Sequence, residues 1–571
     1  MKNRISFISL SCLSPFLLFF ALLANAGVTP PQAAIATAHP LATEAGQEIL
    51  RAGGNAFDAA VAVTAVLGVV EPYGSGLGGG GFWLLHREAD NFQVMVDGRE
   101  KAPMAAYRDM YLDDKGDVIS GASINGPLAA GIPGVPAAMA HIARKYGRLP
   151  LAKNLAPAIR LARGGFAVDE QYRRYAEMRL KTLQRFPATA KIFLYNNAVP
   201  PLGYLLKQED LANTLESIVR SGKAGFYQGA LANRLVDAVK KAGGIWSLDD
   251  LKNYNIVERE PVRTEYRGMQ LISAAPPSSG GIALASMVQM LKQYDLEKLS
   301  TADRAHLIIE VMRRAYRDRA EYLGDSDFVD VPVARLTSTA YARELVKGIR
   351  MDEATPSTGL KPVGRPSGAG SDTTHFSILD KEGNRVAATV SVNYLFGSCF
   401  VVPGTGFLLN DEMDDFSAKP GVANAYGLIG AEANAIEPGK RPLSSMSPTF
   451  LEDNRGIAII GTPGGSRIIS MVLLAALQYA AGADAQSVVQ LPRFHHQYMP
   501  DIVMFENDAF SEKTEQELAL RGHVLKKQMS PYGGGFGHYG NMQAIVWDKH
   551  KNKVTAASDM RGIGAAVVFK Q

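Results

Sequence analysis

The stretch that decides the fold is Ser371-Asp372-Thr373-Thr374-His375-Phe376-Ser377. A polar run rich in Pro, Gly, Ser and Thr, residues 354–370, precedes it, and the alternating segment from Thr374 to Leu379 predicts a strand. A loop therefore delivers a hydroxyl side chain to the start of a strand. Self-cleavage needs this arrangement, because the Thr373 hydroxyl can attack the preceding carbonyl and hydrolysis of the ester then frees the Thr373 amine. That amine becomes the base for a threonine nucleophile.

A second strand, residues 385–393, follows the turn-like cluster Asp380-Lys381-Glu382-Gly383-Asn384. If the hairpin is symmetric about the centre of this cluster, Thr373 lies opposite Ser391. Directly opposed side chains have Cβ atoms about 5 Å apart, which permits a hydrogen bond between the two hydroxyls. A four-residue loop would instead place Thr373 opposite Val390. Threonine pairs are also common on ordinary exposed hairpins, so the prediction depends on the residues downstream.

Composition indicates a well-packed globular protein, since 47% of the 571 residues are apolar and only 20% are charged. Residues 1–4 are basic, residues 5–23 are largely apolar, and Ala24-Asn25-Ala26 matches a signal-peptidase site. We therefore predict a signal peptide at residues 1–26 and a periplasmic or secreted protein; an uncleaved anchor is the alternative. Loss of Lys2 and Arg4 lowers the formal charge from +4 to +2. The net charge of this nearly neutral chain does not favour the binding of nucleic acid.

Neither a disulfide nor a metal or cofactor site is predicted. Of the two cysteines, Cys12 lies in the signal peptide, which leaves Cys399 alone. The ten histidines show no metal spacing, and the adjacent His495 and His496 would point to different sides of a strand or helix. The glycine run of residues 74–81 matches G-x-G-x-x-G, but it follows a helix and leads into a strand. That order is the reverse of a dinucleotide site and favours close backbone packing.

The larger first part of the chain reads mainly as scaffold. Residues 40–70 predict two Ala-rich helices with a glycine stop between them, and residues 130–350 predict mostly amphipathic helices. Arg99 follows a predicted strand, where an arginine is more often a surface charge. A turn at residues 276–281 could form a wall of a site.

The polar residues after the hairpin are more informative together than alone. Residues 410–415 concentrate acids, and residues 441–448 concentrate hydroxyls. The strand at residues 457–461 ends in Thr462-Pro463-Gly464-Gly465-Ser466 before a long apolar helix, residues 467–480. Backbone N–H groups at a helix start can bind an oxyanion. A threonine nucleophile, an oxyanion site, acids for an ammonium, and an arginine with hydroxyls for a carboxylate together indicate acyl transfer on an amino-acid-like substrate.

The sequence resembles the gamma-glutamyltransferases (glutathione hydrolases) of the N-terminal nucleophile hydrolase superfamily. The motifs that carry the resemblance run in order over most of the chain: the glycine run at 74–82, Asp97-Gly98-Arg99-Glu100, Pro277-Ser278-Ser279-Gly280-Gly281, Thr373-Thr374-His375, residues 409–416, residues 441–448 and Pro463-Gly464-Gly465-Ser466-Arg467. The resemblance implies an α+β fold, a four-layered αββα sandwich. It also implies one precursor cut between Asp372 and Thr373 into a large chain, 27–372, and a small chain, 373–571, that stay associated as a heterodimer.

The resemblance assigns roles residue by residue. Thr373 corresponds to the nucleophile, with Ser391 beside it, and Gly464 and Gly465 correspond to the oxyanion donors. Arg99, Ser444 and Ser445 correspond to the residues that hold the substrate α-carboxylate; Asn393, Glu412 and Asp415 correspond to those that hold its α-amino group. Residues 419–435, with Tyr426, resemble the lid loop of bacterial members. Ser391 departs from the family, which usually has threonine there, and loses the methyl group that restricts the rotamer.

The implied reaction is attack of Thr373 on the γ-amide of glutathione or another γ-glutamyl compound. The γ-glutamyl group then passes to water or to an amino acid or dipeptide acceptor. Two alternatives remain at this point: a β-lactam (glutaryl) acylase on the same fold, which would not need the acids at Glu412 and Asp415, and a secreted non-catalytic binding protein. Hydrolysis and transpeptidation are not separated by the sequence.

Overall fold

The computed structural model describes residues 29–360, 373–419, 421, 422, 424, 428, 430–528 and 539–571. The predicted signal peptide at 1–26, Asp372 and Tyr426 lie outside these residues. No helix within the described ranges is both long enough and apolar enough to cross a bilayer.

Two large sheets form the centre of the molecule. The described strands are β1 (Ala33–Thr37), β2 (Gly80–Arg87), β3 (Phe92–Asp97), β4 (Phe166–Ala167), β5 (Leu205–Leu206), β6 (Val257–Arg259), β7 (Val262–Tyr266), β8 (Met269–Ser273), β9 (Thr374–Leu379), β10 (Arg385–Ser391), β11 (Thr449–Asp453), β12 (Gly456–Gly461), β13 (Phe494–His495), β14 (Val503–Phe505), β15 (Leu525–Lys527), β16 (Gln543–Asp548), β17 (Lys553–Ser558) and β18 (Ala565–Phe569). The first sheet has the order β18-β1-β9-β10-β2-β3-β6, and the second has the order β17-β16-β12-β11-β8-β7. Small sheets β13-β14-β15 and β4-β5 lie apart from them.

Helices cover the outer face of each large sheet. The described α-helices are α1 (Pro40–Arg51), α2 (Ala56–Val70), α3 (Val135–Lys145), α4 (Leu151–Gly164), α5 (Glu170–Leu183), α6 (Pro187–Phe193), α7 (Glu209–Ser221), α8 (Ala224–Tyr227), α9 (Gly229–Lys241), α10 (Leu248–Asn253), α11 (Gly280–Leu291), α12 (Thr301–Tyr322), α13 (Val333–Leu336), α14 (Thr339–Val346), α15 (Ile468–Ala480), α16 (Ala485–Gln490) and α17 (Glu512–Leu520). Helices α1 and α2 pack on the first sheet, whereas α11 and α15 pack on the second.

Side-chain alternation along the strands explains the layering. In β1, Ala33 and Ile35 join the core beneath α1 and α2, whereas Ala34 and Ala36 join the core between the sheets. Each large sheet is therefore apolar on both faces, and each needs a second sheet on one side and helices on the other. The result is the α+β, four-layered αββα sandwich that the resemblance implied, and that prediction is confirmed.

The predicted helices at residues 40–70 are present, and Gly53, with φ of 89°, ends the first of them. The region 130–350 was predicted as mostly helical, but it also contains the five strands β4 to β8, which the sequence analysis missed. β7 and β8 form a hairpin around Arg267 and Gly268, both with positive φ. A two-residue loop of this kind matches the right-handed twist of the strands, so the Arg-Gly pair was the overlooked signal.

The hairpin β9–β10 has the symmetric register that was predicted. Thr374 pairs with Val390 and Leu379 with Arg385, so the four-residue-loop alternative is wrong. The second strand ends at Ser391 rather than at residue 393, because Asn393 adopts a left-handed conformation with φ of 75°.

Asp380 holds the turn that sets this register. Its Oδ1 accepts hydrogen bonds from the backbone N–H groups of Glu382 at 2.9 Å and Asn384 at 3.0 Å. Its Oδ2 accepts from the Asn384 amide at 2.8 Å and from the backbone N–H of Ala56, the first residue of α2, at 3.0 Å. The carboxylate is buried, and it ties the hairpin to the helix layer.

We expect Asp380→Ala to lower the free energy of unfolding by on the order of 3 kcal/mol or more, because several buried donors lose their acceptor. The free energy of unfolding of Asp380→Asn should lie between those of the wild type and Asp380→Ala, since one acceptor oxygen remains. Denaturant titration of the protein kept as a single chain by Thr373→Ala measures the effect, and Lys381→Ala, on the exposed neighbour, is the matched control. Equal midpoints for Asp380→Ala and Lys381→Ala would show that the carboxylate does not hold the turn.

Candidate active site

Thr373 and Ser391 lie at the adjoining ends of the paired strands. The Thr373 Oγ1 and Ser391 Oγ atoms are 3.3 Å apart, as the symmetric hairpin predicted. The backbone N–H of Asn393 donates to Ser391 Oγ at 2.8 Å. This donor occupies one side of the serine hydroxyl and leaves its other side toward Thr373. Thr373 itself is half-buried, whereas Ser391 is buried.

The first cavity beside Thr373 is lined by predicted site residues that lie far apart in the sequence. Its lining includes Ser391, Gly465 and all six predicted substrate-binding residues, namely Arg99, Asn393, Glu412, Asp415, Ser444 and Ser445. Gly464 lies with Thr373 in a second cavity, whose lining shares no residue with the first except Thr373. Thr373 therefore stands between two cavities.

Arg99 is buried inside an ion cluster and is not the surface charge that its position in the sequence favours. Its guanidinium pairs with both Glu412 and Asp415, and its Nε donates to the Pro442 carbonyl at 3.1 Å. Glu100 Oε2 lies 3.7 Å from the same guanidinium. The groups predicted to hold a carboxylate and those predicted to hold an ammonium thus form one cluster.

Burial dominates the electrostatics of this cluster. It raises the pKa of the Glu412 carboxyl to about 7, against the attraction of Arg99, and it also raises the pKa of Asp415. Burial lowers the pKa of Arg99, but Glu412, Asp415 and Glu100 more than offset this and the pKa rises. Glu412 Oε2 is buried, and no described residue hydrogen-bonds to it. The cluster therefore has an acceptor oxygen to offer.

Asn410 fixes the acidic loop against the glycine run. Its side-chain amide donates to the carbonyls of Gly78 at 2.6 Å and Gly131 at 2.9 Å, and its Oδ1 accepts from the N–H of Glu412 at 3.0 Å. A Cβ atom at Gly78 would lie 1.9 Å from the Leu408 carbonyl oxygen. The glycines are required for this close backbone approach, which agrees with their predicted structural role.

The hydroxyl-rich segment, residues 441–448, is held in place by residues to which the sequence analysis gave no role. Arg319, on α12, donates to Ser445 Oγ at 3.2 Å and to Ser279 Oγ at 3.0 Å. Ser279 in turn donates to the Ser444 carbonyl, so the turn at 276–281 supports the hydroxyl-rich segment, although none of its residues lines the first cavity. Burial lowers the pKa of Arg319 to about 10. Because α12 contains five arginines, no sequence signal singled out Arg319.

Gly464 and Gly465 turn the chain from β12 toward α15. Their φ angles are 143° and 57°, and a Cβ atom at Gly464 would lie 2.6 Å from Met471 Cε. A short 3-10 turn, Gly465–Arg467, leads into α15. The N-terminal end of this helical segment therefore lies beside Thr373, where backbone N–H groups and the helix dipole favour negative charge.

The second cavity contains an acid that was also missed. Glu71 is buried, and its carboxyl accepts from Thr374 Oγ1 at 2.8 Å and from the Tyr73 hydroxyl at 3.3 Å. Burial raises the pKa of Glu71 to about 7, although both hydrogen bonds oppose the rise. Glu71 lies three residues before the start of the glycine run, so its place beside Thr374 follows from the packing of that run against the hairpin.

The buried histidines do not resemble a metal centre within the described ranges. His495 bonds to Ser470 and Gln497, and His496 bonds to Asp501, as expected for structural groups. His306, Glu310 and His523 have ligand atoms within 4.8 Å of one another. The Glu310 carboxylate is already held by Arg313 and Arg314, and their charges oppose a cation there.

Comparisons with known proteins agree with this geometry. The family model described as gamma-glutamyltranspeptidase matches residues 42–569. The glutathione hydrolase proenzyme of Pseudomonas sp. (strain A14) is 44% identical over 86% of this chain and 85% of its own length. That of Escherichia coli (strain K12) is 41% identical over 88% and 87%. The solved structure of cephalosporin acylase from Bacillus halodurans superposes with a TM-score of 0.81 and 27% identity over 99% of both chains. The chain belongs to the gamma-glutamyltranspeptidase family.

Proposed function

We propose that this protein is a self-processing γ-glutamyl acyl transferase and hydrolase that acts on glutathione and related γ-glutamyl compounds. The observation that carries the proposal is that Thr373 borders the same cavity as the cluster of Arg99, Glu412 and Asp415. A nucleophile beside a site for a zwitterion is what γ-glutamyl transfer needs.

Processing would begin with Thr373 Oγ1 attacking the carbonyl carbon of Asp372. The C–N bond breaks as the ester forms, and hydrolysis of the ester leaves Asp372 with a carboxylate and Thr373 with a free amine. The products are the large chain, 27–372, and the small chain, 373–571, which form a heterodimer. The shared sandwich supports continued association, because β1 and β2 of the large chain pair with β9 and β10 of the small chain.

In turnover, the Thr373 amine takes the proton from Oγ1, and Oγ1 attacks the γ-amide carbon. Backbone N–H groups at Gly464 and Gly465 would stabilise the oxyanion, and such a donor typically contributes about 3 to 4 kcal/mol. The leaving amine accepts the proton and departs, which leaves a γ-glutamyl ester. Ser391, 3.3 Å from Oγ1, orients the nucleophile through its hydroxyl.

The ion cluster suits the α-amino acid end of the substrate. It holds the acids Glu412 and Asp415 beside the cations Arg99 and Arg319, so it has a partner of opposite charge for each end of an α-amino acid group. The unpartnered Glu412 Oε2 offers the substrate ammonium an acceptor, together with Asp415 and Asn393. The α-carboxylate would bind Arg99, Ser444 and Ser445. Each end of the zwitterion thus replaces part of an existing ion pair.

A glutaryl or β-lactam acylase is the second candidate, and the likeness to a cephalosporin acylase structure favours its consideration. A glutaryl group lacks the α-ammonium, so it would leave the acids of the cluster uncompensated. This is why γ-glutamyl compounds are the better match. We further propose export after removal of residues 1–26, and amino acids or dipeptides as acceptors.

We expect the purified protein to contain two fragments, the larger beginning at Gly27 and the smaller at Thr373, and to release amine from a γ-glutamyl anilide. Thr373→Ala should remain a single chain without activity, because it has no hydroxyl. N-terminal sequencing and the release assay measure these results. A smaller fragment that begins elsewhere would refute Thr373 as the nucleophile.

We expect Asp415→Ala to slow γ-glutamyl turnover and to leave self-cleavage intact. The activation free energy for kcat/KM should rise by an amount typical of a lost charged partner, on the order of 2 to 5 kcal/mol. A glutaryl anilide, which lacks the ammonium, should be a poor substrate for the wild type and lose less in the variant. Comparison of kcat/KM for the two anilides tests this. Equal losses on both substrates would favour a different role for Asp415.

Ser391→Ala should slow both processing and turnover, since loss of a neutral hydrogen bond costs about 1 kcal/mol and more where charge develops. Ser391→Thr is the matched control, because it keeps the hydroxyl and adds a methyl group that narrows χ1. The expected order of rates is Thr at least equal to Ser, with Ala well below. Processing of the alanine variant at the wild-type rate would mean that the pairing contributes nothing to the chemistry.

A further inference from the structure

Arg319, on α12, is a buried arginine with which no acid forms an ion pair among the residues that the structure describes. It is 5% exposed, and its guanidinium donates to the hydroxyls of Ser279 at 3.0 Å and Ser445 at 3.2 Å. The neighbouring acid Asp318 pairs with Arg317 instead, at 2.8 Å. Burial of a charge without a partner of opposite charge costs folding free energy. A negatively charged ligand near Arg319 would therefore lower this cost.

Arg99, the arginine that lines the first cavity, differs from Arg319 in this respect. Its guanidinium pairs with both Glu412 and Asp415, so two carboxylates already share its charge. Asp415 also attracts Arg319, but its ion pair is with Arg99. The positive charge that is not yet paired at this end of the site therefore belongs to Arg319.

The hydrogen bond from Arg319 sets the direction in which the Ser445 hydroxyl donates. A serine hydroxyl has one proton to donate and two lone pairs that accept. Because Ser445 Oγ accepts from the guanidinium, its proton points away from Arg319. Ser445 lines the first cavity, and within the described ranges no acceptor takes this proton. The hydroxyl is therefore available to an acceptor in the cavity, and the adjacent positive charge strengthens it as a donor.

The second hydrogen bond of Arg319 supports the backbone that carries the two cavity serines. Ser279 Oγ accepts from Arg319 Nε and donates to the Ser444 carbonyl at 2.7 Å. The Ser279 N–H donates to the same carbonyl at 2.8 Å, and the Ser444 N–H donates to the Pro277 carbonyl at 2.9 Å. Arg319 thus holds the side chain of Ser445 directly and the backbone of Ser444 through Ser279.

We propose that Arg319 is a positioning residue for the α-carboxylate of the γ-glutamyl group. It directs the Ser445 proton into the first cavity, and it supplies positive charge that Arg99 shares with two acids. This inference rests on the proposed function, because it names a residue that selects the substrate of that reaction. Arg319 lies behind the serines and not in the cavity lining, so its substitution should change substrate binding more than the acyl transfer step.

The test compares two anilides that differ only in the α-carboxylate. γ-Glutamyl-p-nitroanilide has this group, and γ-aminobutyryl-p-nitroanilide lacks it but keeps the amine. The wild type should have the lower KM for the γ-glutamyl compound. Arg319→Gln should raise this KM by about tenfold with little change in kcat, and it should leave the KM for the γ-aminobutyryl compound within about twofold. If the second compound is turned over slowly, its Ki against the first replaces its KM.

Arg319→Lys keeps the charge but cannot reproduce the two-point contact with Ser279 and Ser445, so the KM for the γ-glutamyl compound should rise less than in Arg319→Gln. Arg317→Gln is the matched control, because Arg317 lies two residues away on the same helix and pairs with Asp318. This control should leave the ratio of the two KM values unchanged.

An equal increase of both KM values in Arg319→Gln, or no increase, would overturn the role of Arg319. In that case, nitroaniline release from the γ-glutamyl compound by the wild type would still support the proposed function. No release by the wild type would overturn both.

A double-mutant cycle tests whether Arg319 acts through Ser445. In a Ser445→Ala background, Arg319→Gln should raise the KM for the γ-glutamyl compound by only about threefold, because the oriented hydroxyl is already lost. The same tenfold increase in both backgrounds would contradict the path through Ser445.

Ser279→Ala carries the test if Arg319→Gln does not yield the two processed chains. This substitution removes one of the two hydroxyls that Arg319 contacts and one support of the Ser444 backbone. The KM for the γ-glutamyl compound should rise severalfold, whereas the KM for the γ-aminobutyryl compound should stay the same. An unchanged ratio of the two KM values would overturn the proposal.

Discussion

The antiparallel pairing of β9 with β10 is the constraint on which the rest of the site depends. A shift by one residue would move every side chain of the hairpin to the opposite face and would separate Thr373 from Ser391. The register is held at the turn by Asp380 and at the flanks by β1 and β2, which pair with the two strands. The nucleophile therefore stands on a rigid element buried in the sandwich, although the sequence before it is rich in Pro, Gly and Ser.

Burial of the ion cluster beside this hairpin costs folding free energy. Burial of an arginine and several carboxylates costs several kcal/mol per ion, and pairing offsets this only with good geometry. Here burial raises the pKa values of Glu412 and Asp415 although Arg99 attracts both carboxylates, so the ion pairs do not fully offset the cost of burial. A zwitterionic substrate is neutral overall and can exchange partners within the cluster, since its ammonium binds the acids and its carboxylate takes the place of an acid beside Arg99. Perturbed carboxyls in a cavity next to a nucleophile are typical of functional sites.

Local sequence patterns predicted the local geometry well and the long-range geometry incompletely. The ends of β9, the hairpin symmetry and the packing role of the glycine run followed from alternation, turn residues and glycine spacing. The burial of Arg99 against Glu412 and Asp415 did not, because residues more than 300 positions apart meet only in the folded sandwich. Arg319 and Glu71 were missed for the same reason: each belongs to a segment that reads as scaffold until its neighbours are known.

The most direct test of the central claim is mass spectrometry of the small chain, quenched during turnover of a γ-glutamyl compound. A γ-glutamyl ester on Thr373, the first residue of that chain, is the expected result, and it should disappear when a good acceptor amine is added. An adduct on another residue, or turnover without any acyl adduct under conditions where deacylation limits the rate, would contradict Thr373 as the nucleophile.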